Sequence, residues 1–161
     1  MDPELHRVFG GGIVLGSVIL LAGTPGVGKS TLALQIADMI SQQLPNNGRT
    51  LYVSGEESVE QVGMRARRIA SNRENFFQQV DILNQPNLNK VLSSIDRDSP
   101  HKAVVIDSIQ TVFLDDVESD AGGVVQIRAC ALACVHMAKL SKIPVILVGY
   151  VFSSFVVSLN E

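Results

Sequence analysis

The run GTPGVGKST, residues 23–31, places Gly23, Gly28, Lys29 and Ser30 at the fixed positions of G-x-x-x-x-G-K-[ST]. That set of residue types at that spacing is suited to holding a chain of phosphates. Gly23, Gly26 and Gly28 lack a Cβ, so the loop is expected to take positive φ and turn several backbone N–H groups toward one point. Thr24, Pro25 and Val27 complete the loop. Lys29 is expected to reach the terminal phosphates as a point charge, and the Ser30 hydroxyl to ligate a bridging Mg²⁺. Thr31 reads as a helix residue near the base. The implied ligands are ATP and Mg²⁺.

Two further sets of acids carry chemistry. Residues 103–108 read AVVIDS, an apolar run that ends in an acid, and Asp107 is the candidate for holding Mg²⁺ opposite Ser30. Residues 50–58 read TLYVSGEES, a strand that ends in paired acids. Hydrolysis needs a carboxylate to position and polarise water in line with the terminal phosphate. Glu56 is the favoured base and Glu57 the second choice, which could instead favour the positive end of the following helix.

These residues need a scaffold, and the hydrophobic pattern supplies one. Strands are predicted at Val18 to Ala22, Thr50 to Ser54, Gln79 to Leu83, Ala103 to Asp107 and Val145 to Val148. Helices are predicted at Lys29 to Gln43, Ser58 to Ala70, Leu88 to Asp96 and Val124 to Ser141. Ser58 followed by Gln61 fits a capping box. Alternation of strand and helix implies an α/β fold, a mostly parallel sheet with helices on both faces. Ligands of such sheets bind at the carboxyl ends of the strands, where the phosphate loop already lies.

The chain has 161 residues, 46% of them hydrophobic, enough for one domain with a substantial core. Its formal net charge of −3 provides no overall positive field for nucleic acid, so any DNA contact must be local. The two cysteines, Cys130 and Cys134, fit neither a disulfide framework nor four-ligand zinc spacing and read as reduced core residues. His6, His101 and His136 lack metal-like spacing and read as surface or structural. No secretory signal is visible at the start. The uncharged stretch Ile143 to Leu159 approaches the lower length of a membrane span. Its β-branched residues, Pro144 and Gly149 favour a buried strand, a turn and a second extended piece, so no membrane partner is expected.

Taken together, LHRVFGGG (residues 5–12), the phosphate loop, YVSGEESVEQ, VVIDSIQTV and IPVILVG resemble the ATPase core of the RadA (Sms) family of DNA repair proteins. The resemblance implies a RecA-type, three-layer P-loop fold over residues 1–150, followed by a divergent hydrophobic tail over 151–161. It implies an ATP-dependent motor that assembles as a homo-oligomeric ring, a hexamer, on single-stranded or branched DNA during recombinational repair. By position, Lys29 and Ser30 would bind nucleotide and Mg²⁺, Glu56 would be the catalytic acid and Asp107 the Walker-B acid. The stretch Leu114 to Arg128 resembles a loop directed toward the ring's centre. The setting would be the cytoplasm in a bacterium, or a chloroplast or mitochondrion in a eukaryote.

The sequence also departs from that family. No four-cysteine zinc module precedes the core, and no Lon-protease-like domain or Lys-Asn-Arg-Phe-Gly motif follows it. Where the family has Gly-His-Val-Thr-Lys, this chain has Gly149, Tyr150, Val151, Phe152 and Ser153, losing the His and the Lys. Nucleotide binding is therefore expected to survive better than coupled work on DNA, and hydrolysis by this chain alone to be slow. Arg65, Arg67 and Arg68 read as a solvated helix face. Arg128 is the candidate DNA contact, opposed by Asp115, Asp116, Glu118 and Asp120 beside it. The alternatives are another RecA-fold ring ATPase, of clock or replicative-helicase type, and a non-catalytic nucleotide-binding fragment.

Overall fold

The computed structural model describes residues 7–44, 48–69 and 79–150. The expectations for Leu5 and His6, for Ala70 at a helix end and for the 151–161 tail lie outside the described residues. Among the described residues there are five strands: β1 (Val18–Gly23), β2 (Arg49–Ser54), β3 (Val80–Asn84), β4 (His101–Asp107) and β5 (Val145–Tyr150). Four helices are described among these residues: α1 (Lys29–Ser41), α2 (Val59–Ile69), α3 (Leu88–Ser93) and α4 (Val124–Ser141). Each predicted strand and helix is present, with ends shifted by a few residues.

The sheet order is β1-β5-β4-β2-β3, and every pairing is parallel. This is the α/β, RecA-like P-loop architecture expected from the sequence. Successive strand residues point to opposite faces, and the core divides accordingly. Tyr52, Ala103, Val105, Ile146 and Val148 pack against Leu34 and Ala37 of α1 and Val62 and Ala66 of α2. Leu51, Val53, Val104, Ile106, Val145 and Leu147 face Val91 of α3 and Ile127, Cys130 and Cys134 of α4. Both faces of the central strands are thus buried, which is why they read as unbroken apolar runs rather than alternating ones.

Several local features fix the ends of the elements. Ser58 and Gln61 form the reciprocal capping box, Ser58 N–H donating to Gln61 Oε1 at 2.9 Å and Gln61 N–H to Ser58 Oγ at 3.3 Å. The loop before α4 is clamped from within. Buried Gln126 accepts from Leu114 N–H at 3.3 Å and donates to the carbonyls of Leu114, Val117 and Ser119 at 3.3, 3.5 and 3.0 Å. The loop resembling a DNA-directed segment therefore ends at Gly123, and residues 124–128 are the first turns of α4.

Two composition-based questions find answers here. Val145–Tyr150, the first half of the uncharged stretch, is a central strand between β1 and β4. Helix α4 is long and apolar enough to cross a bilayer by length and composition. It packs Ile127, Cys130, Cys134 and Ala138 onto the sheet and leaves Arg128, His136 and Lys139 exposed beside Val124, Val125, Leu132 and Leu140. Burial pushes the Cys130 thiol up to about 11 and the Cys134 thiol to about 12, so both are inert apolar groups at neutral pH.

Candidate nucleotide-binding site

A cleft of about 230 Å³ opens at the carboxyl ends of the strands, lined by the loop after β1, the tips of β4 and β5, and one residue of α2. Gly26, Gly28, Lys29, Ser30 and Thr31 form the loop wall, Asp107 and Ser108 the β4 wall, and Val148 and Tyr150 the β5 wall. Arg65 of α2 completes the lining.

The loop turns through positive φ at Gly26 (77°) and Gly28 (93°), and Gly28 caps α1 in the left-handed region. A side chain is disfavoured there, and this turn lets the first N–H groups of α1 face the cleft. Gly23 does not share that conformation. It ends β1, and a Cβ there would come within 3.2 Å of Val27 Cγ1, so close packing of the loop accounts for that glycine. Thr31 lies in the first turn of α1, as expected, and also lines the cleft.

Lys29 is buried, and its Nζ donates to the carbonyls of Gly23 at 3.0 Å and Thr24 at 2.7 Å. The same ammonium sits 4.6 Å from the centre of the Tyr150 ring, within cation–π range. Tyr150 stands where the resembled family has a histidine. An aromatic ring thus supports the lysine at a position that the sequence reading treated only as a loss.

Asp107 ends β4, in register with Ser54 of β2 and Val148 of β5. The fully buried Tyr52 donates its hydroxyl to Asp107 Oδ2. Burial, reinforced by the neighbouring carboxylate, raises the Tyr52 pKa, so the phenol stays protonated and Asp107 keeps an oriented partner. Tyr52 was missed at the sequence level, because only the strand register reveals that it reaches Asp107.

The SGEES and IDSIQT strings meet in space. Gly55 N–H donates to the Asp107 carbonyl at 3.0 Å. A Cβ on Gly55 would fall 2.2 Å from Thr111 Oγ1 and 2.8 Å from the Thr111 carbonyl, so no other residue fits there. Thr111 Oγ1 in turn accepts from Ser108 N–H at 3.1 Å and donates to the Ser108 carbonyl at 2.9 Å. These contacts fix the β2 exit, with its two acids, against the β4 exit, with Asp107.

The two acids then part. Glu57 N–H donates to Ser54 Oγ at 2.8 Å, its carbonyl accepts from Asn84 Nδ2 at 2.6 Å, and its carboxylate accepts from Arg65 Nη2 at 2.5 Å. Glu56 is exposed, and its carboxylate has no hydrogen bond or ion pair among the described residues. Arg67 and Arg68 are exposed on α2, whereas the solvated-face reading fails for Arg65. Arg65 lies on the edge of the α2 stripe that buries Val62 and Ala66, which directs its long side chain into the cleft. Burial works against its charge, but the Glu57 hydrogen bond and carboxylate, with Tyr52 and Asp107 behind them, outweigh that and raise its pKa. Its Nη1 is buried with no hydrogen-bond partner.

The residues fit a metal–polyphosphate ligand. The Ser30 hydroxyl and the Asp107 carboxylate are oxygen donors of the hard kind that Mg²⁺ takes, and they line one cleft. Lys29 and the orphaned Arg65 nitrogen supply cations on either side. Arg128 lies outside this cleft, exposed on α4.

Comparison with known proteins agrees with this geometry. The family described as AAA domain matches residues 2–151. DNA repair protein RadA of Listeria monocytogenes is 44% identical over 149 residues, covering 92% of this chain and 31% of that protein. The protein of the same name from Aquifex aeolicus is 41% identical over 148 residues, covering 92% and 31%. That from Mycobacterium tuberculosis is 45% identical over 148 residues, covering 92% and 30%. The chain therefore spans under a third of the length of these relatives, and the resemblance to their ATPase core is borne out over nearly all of it.

Proposed function

The chain belongs to the AAA domain family, and from that premise we propose that it binds Mg·ATP and hydrolyses it as the ATPase core of a RadA-type DNA repair protein. The observation that carries this reading is the single cleft in which Lys29, Ser30, Asp107 and Arg65 converge at the ends of the parallel strands. Backbone N–H groups of Gly26 to Ser30 hold phosphate oxygens at the start of α1. Lys29 leaves the Gly23 and Thr24 carbonyls, which already hold it at the right height, and turns to the terminal phosphates. Ser30 and Asp107 hold Mg²⁺, which when bound neutralises the charge that develops on the phosphates. Tyr52 fixes the orientation of Asp107.

Glu56 is the base. Its carboxylate is free to take a water and polarise it toward the terminal phosphate, whereas the Glu57 carboxylate is engaged by Arg65. In the assembled protein, a hexameric ring around single-stranded or branched DNA, turnover would drive motion of the 114–123 loop. Arg128 would offer a strand contact, made weak and salt-sensitive by the acids beside it. The setting is cytoplasmic if the source is bacterial.

The test is ATP turnover with Mg²⁺, with and without single-stranded DNA, on this chain beside its Glu56→Gln and Lys29→Ala variants. Turnover that rises with DNA and vanishes in both variants supports the reading. The replacement of the family histidine by Tyr150, packed on Lys29, favours a second reading: a nucleotide-binding segment without turnover of its own. ATP binding without hydrolysis would select it.

A further inference from the structure

We infer that Arg65 is the residue by which this site distinguishes a nucleoside triphosphate from a diphosphate. Its Nη1 takes the terminal phosphate, while Nη2 remains on Glu57. The inference deepens the proposed ATP-binding role and rests on it.

The first support is an unused donor. Arg65 Nη2 is committed to Glu57 Oε1 at 2.5 Å, and Nη1 is buried with no partner in a side chain that lines the phosphate cleft. A buried donor left unpaired is costly, more so on a charged group, and the cost is recovered only by a ligand that accepts from it. Among the described residues lining the cleft, Asp107 is the other acid, and its Oδ2 already accepts from Tyr52. The guanidinium is suited to the double task because its forked donors serve two acceptors from one planar group.

The second support is the direction in which the cleft runs. The sheet order places the phosphate loop after β1 at one end, the tips of β5 and β4 next, and β2 with its following helix α2 beyond them. Phosphates held by the loop N–H groups occupy the β1 end. The chain of phosphates must then extend along the strand tips before it reaches α2, so a diphosphate ends short of Arg65 and a triphosphate meets it. Glu57 holds the guanidinium in place and belongs to the same SGEES string as the proposed base. Contact at Nη1 is therefore felt directly at the segment that carries Glu56.

The experiment is equilibrium binding of ADP and of a non-hydrolysable ATP analogue, each with Mg²⁺, to the full 161-residue chain and to its Arg65→Gln, Arg65→Lys and Lys29→Ala variants. Arg65→Gln should weaken the triphosphate by about tenfold to a hundredfold, the size of one lost charge-assisted hydrogen bond, and leave ADP within about twofold. Arg65→Lys keeps the cation that pairs with Glu57 and so protects the fold. Its compact ammonium lacks the span of the guanidinium fork and cannot reach both acceptors as Nη1 and Nη2 do, so the triphosphate preference should still shrink by several-fold. Equal losses for both nucleotides, or an unchanged triphosphate-to-diphosphate ratio in the Lys variant, would overturn the inference while leaving ATP binding intact. A wild-type chain that binds neither nucleotide, or a Lys29→Ala variant that binds both as well as wild type, would instead overturn the underlying reading and the inference with it.

Discussion

Strands β2 and β4 carry a cluster of charged and polar side chains at each end, and the two clusters differ in what they leave undone. At the amino ends, Asp81 accepts from Arg49 through both oxygens, one contact being Nε to Oδ2 at 2.5 Å, and meets His101 Nε2 at 2.9 Å. His101 Nδ1 lies 3.3 Å from the buried Ser99 Oγ, so the chain of partners closes on itself. At the carboxyl ends, Tyr52 holds Asp107 and Arg65 holds Glu57, but Arg65 Nη1 has no partner, Glu56 stands exposed and Lys29 rests on loop carbonyls. A satisfied cluster ties three strands together. An unsatisfied one stores interaction free energy that only a ligand can release. The same sheet therefore separates its stabilising end from its working end.

Substitutions at the two ends should separate in the same way, and the largest effect belongs to Lys29. Lys29→Ala should lower ATP affinity and turnover by two or more orders of magnitude, read by calorimetric titration and phosphate release, with the melting temperature little changed. A collapse of the fold instead would mean that the carboxyl end is also structural. Glu56→Gln should cost about a hundredfold in turnover, the range of a lost general base, with ATP affinity retained. A fall in affinity that matches the fall in rate would move Glu56 from chemistry to binding.

Tyr52→Phe is the finer probe. It preserves the buried ring and removes only the hydroxyl that orients Asp107, so the Mg²⁺ concentration giving half-maximal turnover should rise by several-fold. Metal-free nucleotide binding should stay level. The smallest effect belongs to the amino end. Arg49, then His101, holds the Asp81 carboxyl below its usual range in the folded protein. The stability it contributes is therefore present above the ordinary carboxylate pKa of about 4 and is lost as pH falls through the lower folded value. The pair is partly exposed, so Asp81→Asn should cost no more than about 1 kcal/mol in denaturant melts at pH 7. That difference should vanish in acid, and ATP turnover should not change. A change in turnover would couple the two ends and break the contrast.

What the sequence could disclose follows from how local each signal is. The phosphate loop, the capping box at Ser58 and the strand ending in Asp107 are set by residues a few positions apart, and their places in the fold were legible. Tyr52 was not, because its reach to Asp107 depends on the register of β2 against β4, a contact across 55 residues. Arg65 was misread for a related reason. Three arginines in four positions look solvated, and only the packing of Val62 and Ala66 onto the sheet shows which of them turns inward. Gln126 gave no signal at all, since a glutamine that satisfies the carbonyls of a preceding loop looks in sequence like any polar helix residue. Gly23 was assigned to the right motif for the wrong reason: it is small because Val27 folds over it, not because its backbone is left-handed.

Among the described residues β1 pairs with β5 alone, from Val18 beside Val145 to Gly23 beside Tyr150. The phosphate loop is thus made early in synthesis and waits for a strand at the far end of the described chain. Closing so distant a pair is slow, because the intervening chain must surrender its freedom before the contact forms. Until β5 docks, Lys29 has no Tyr150 ring beside it and the cleft lacks its β5 wall. An ATP held in the completed cleft, as proposed, would keep this seam shut by mass action. In a newborn chain the nucleotide would act as a clasp on folding before it serves as a fuel.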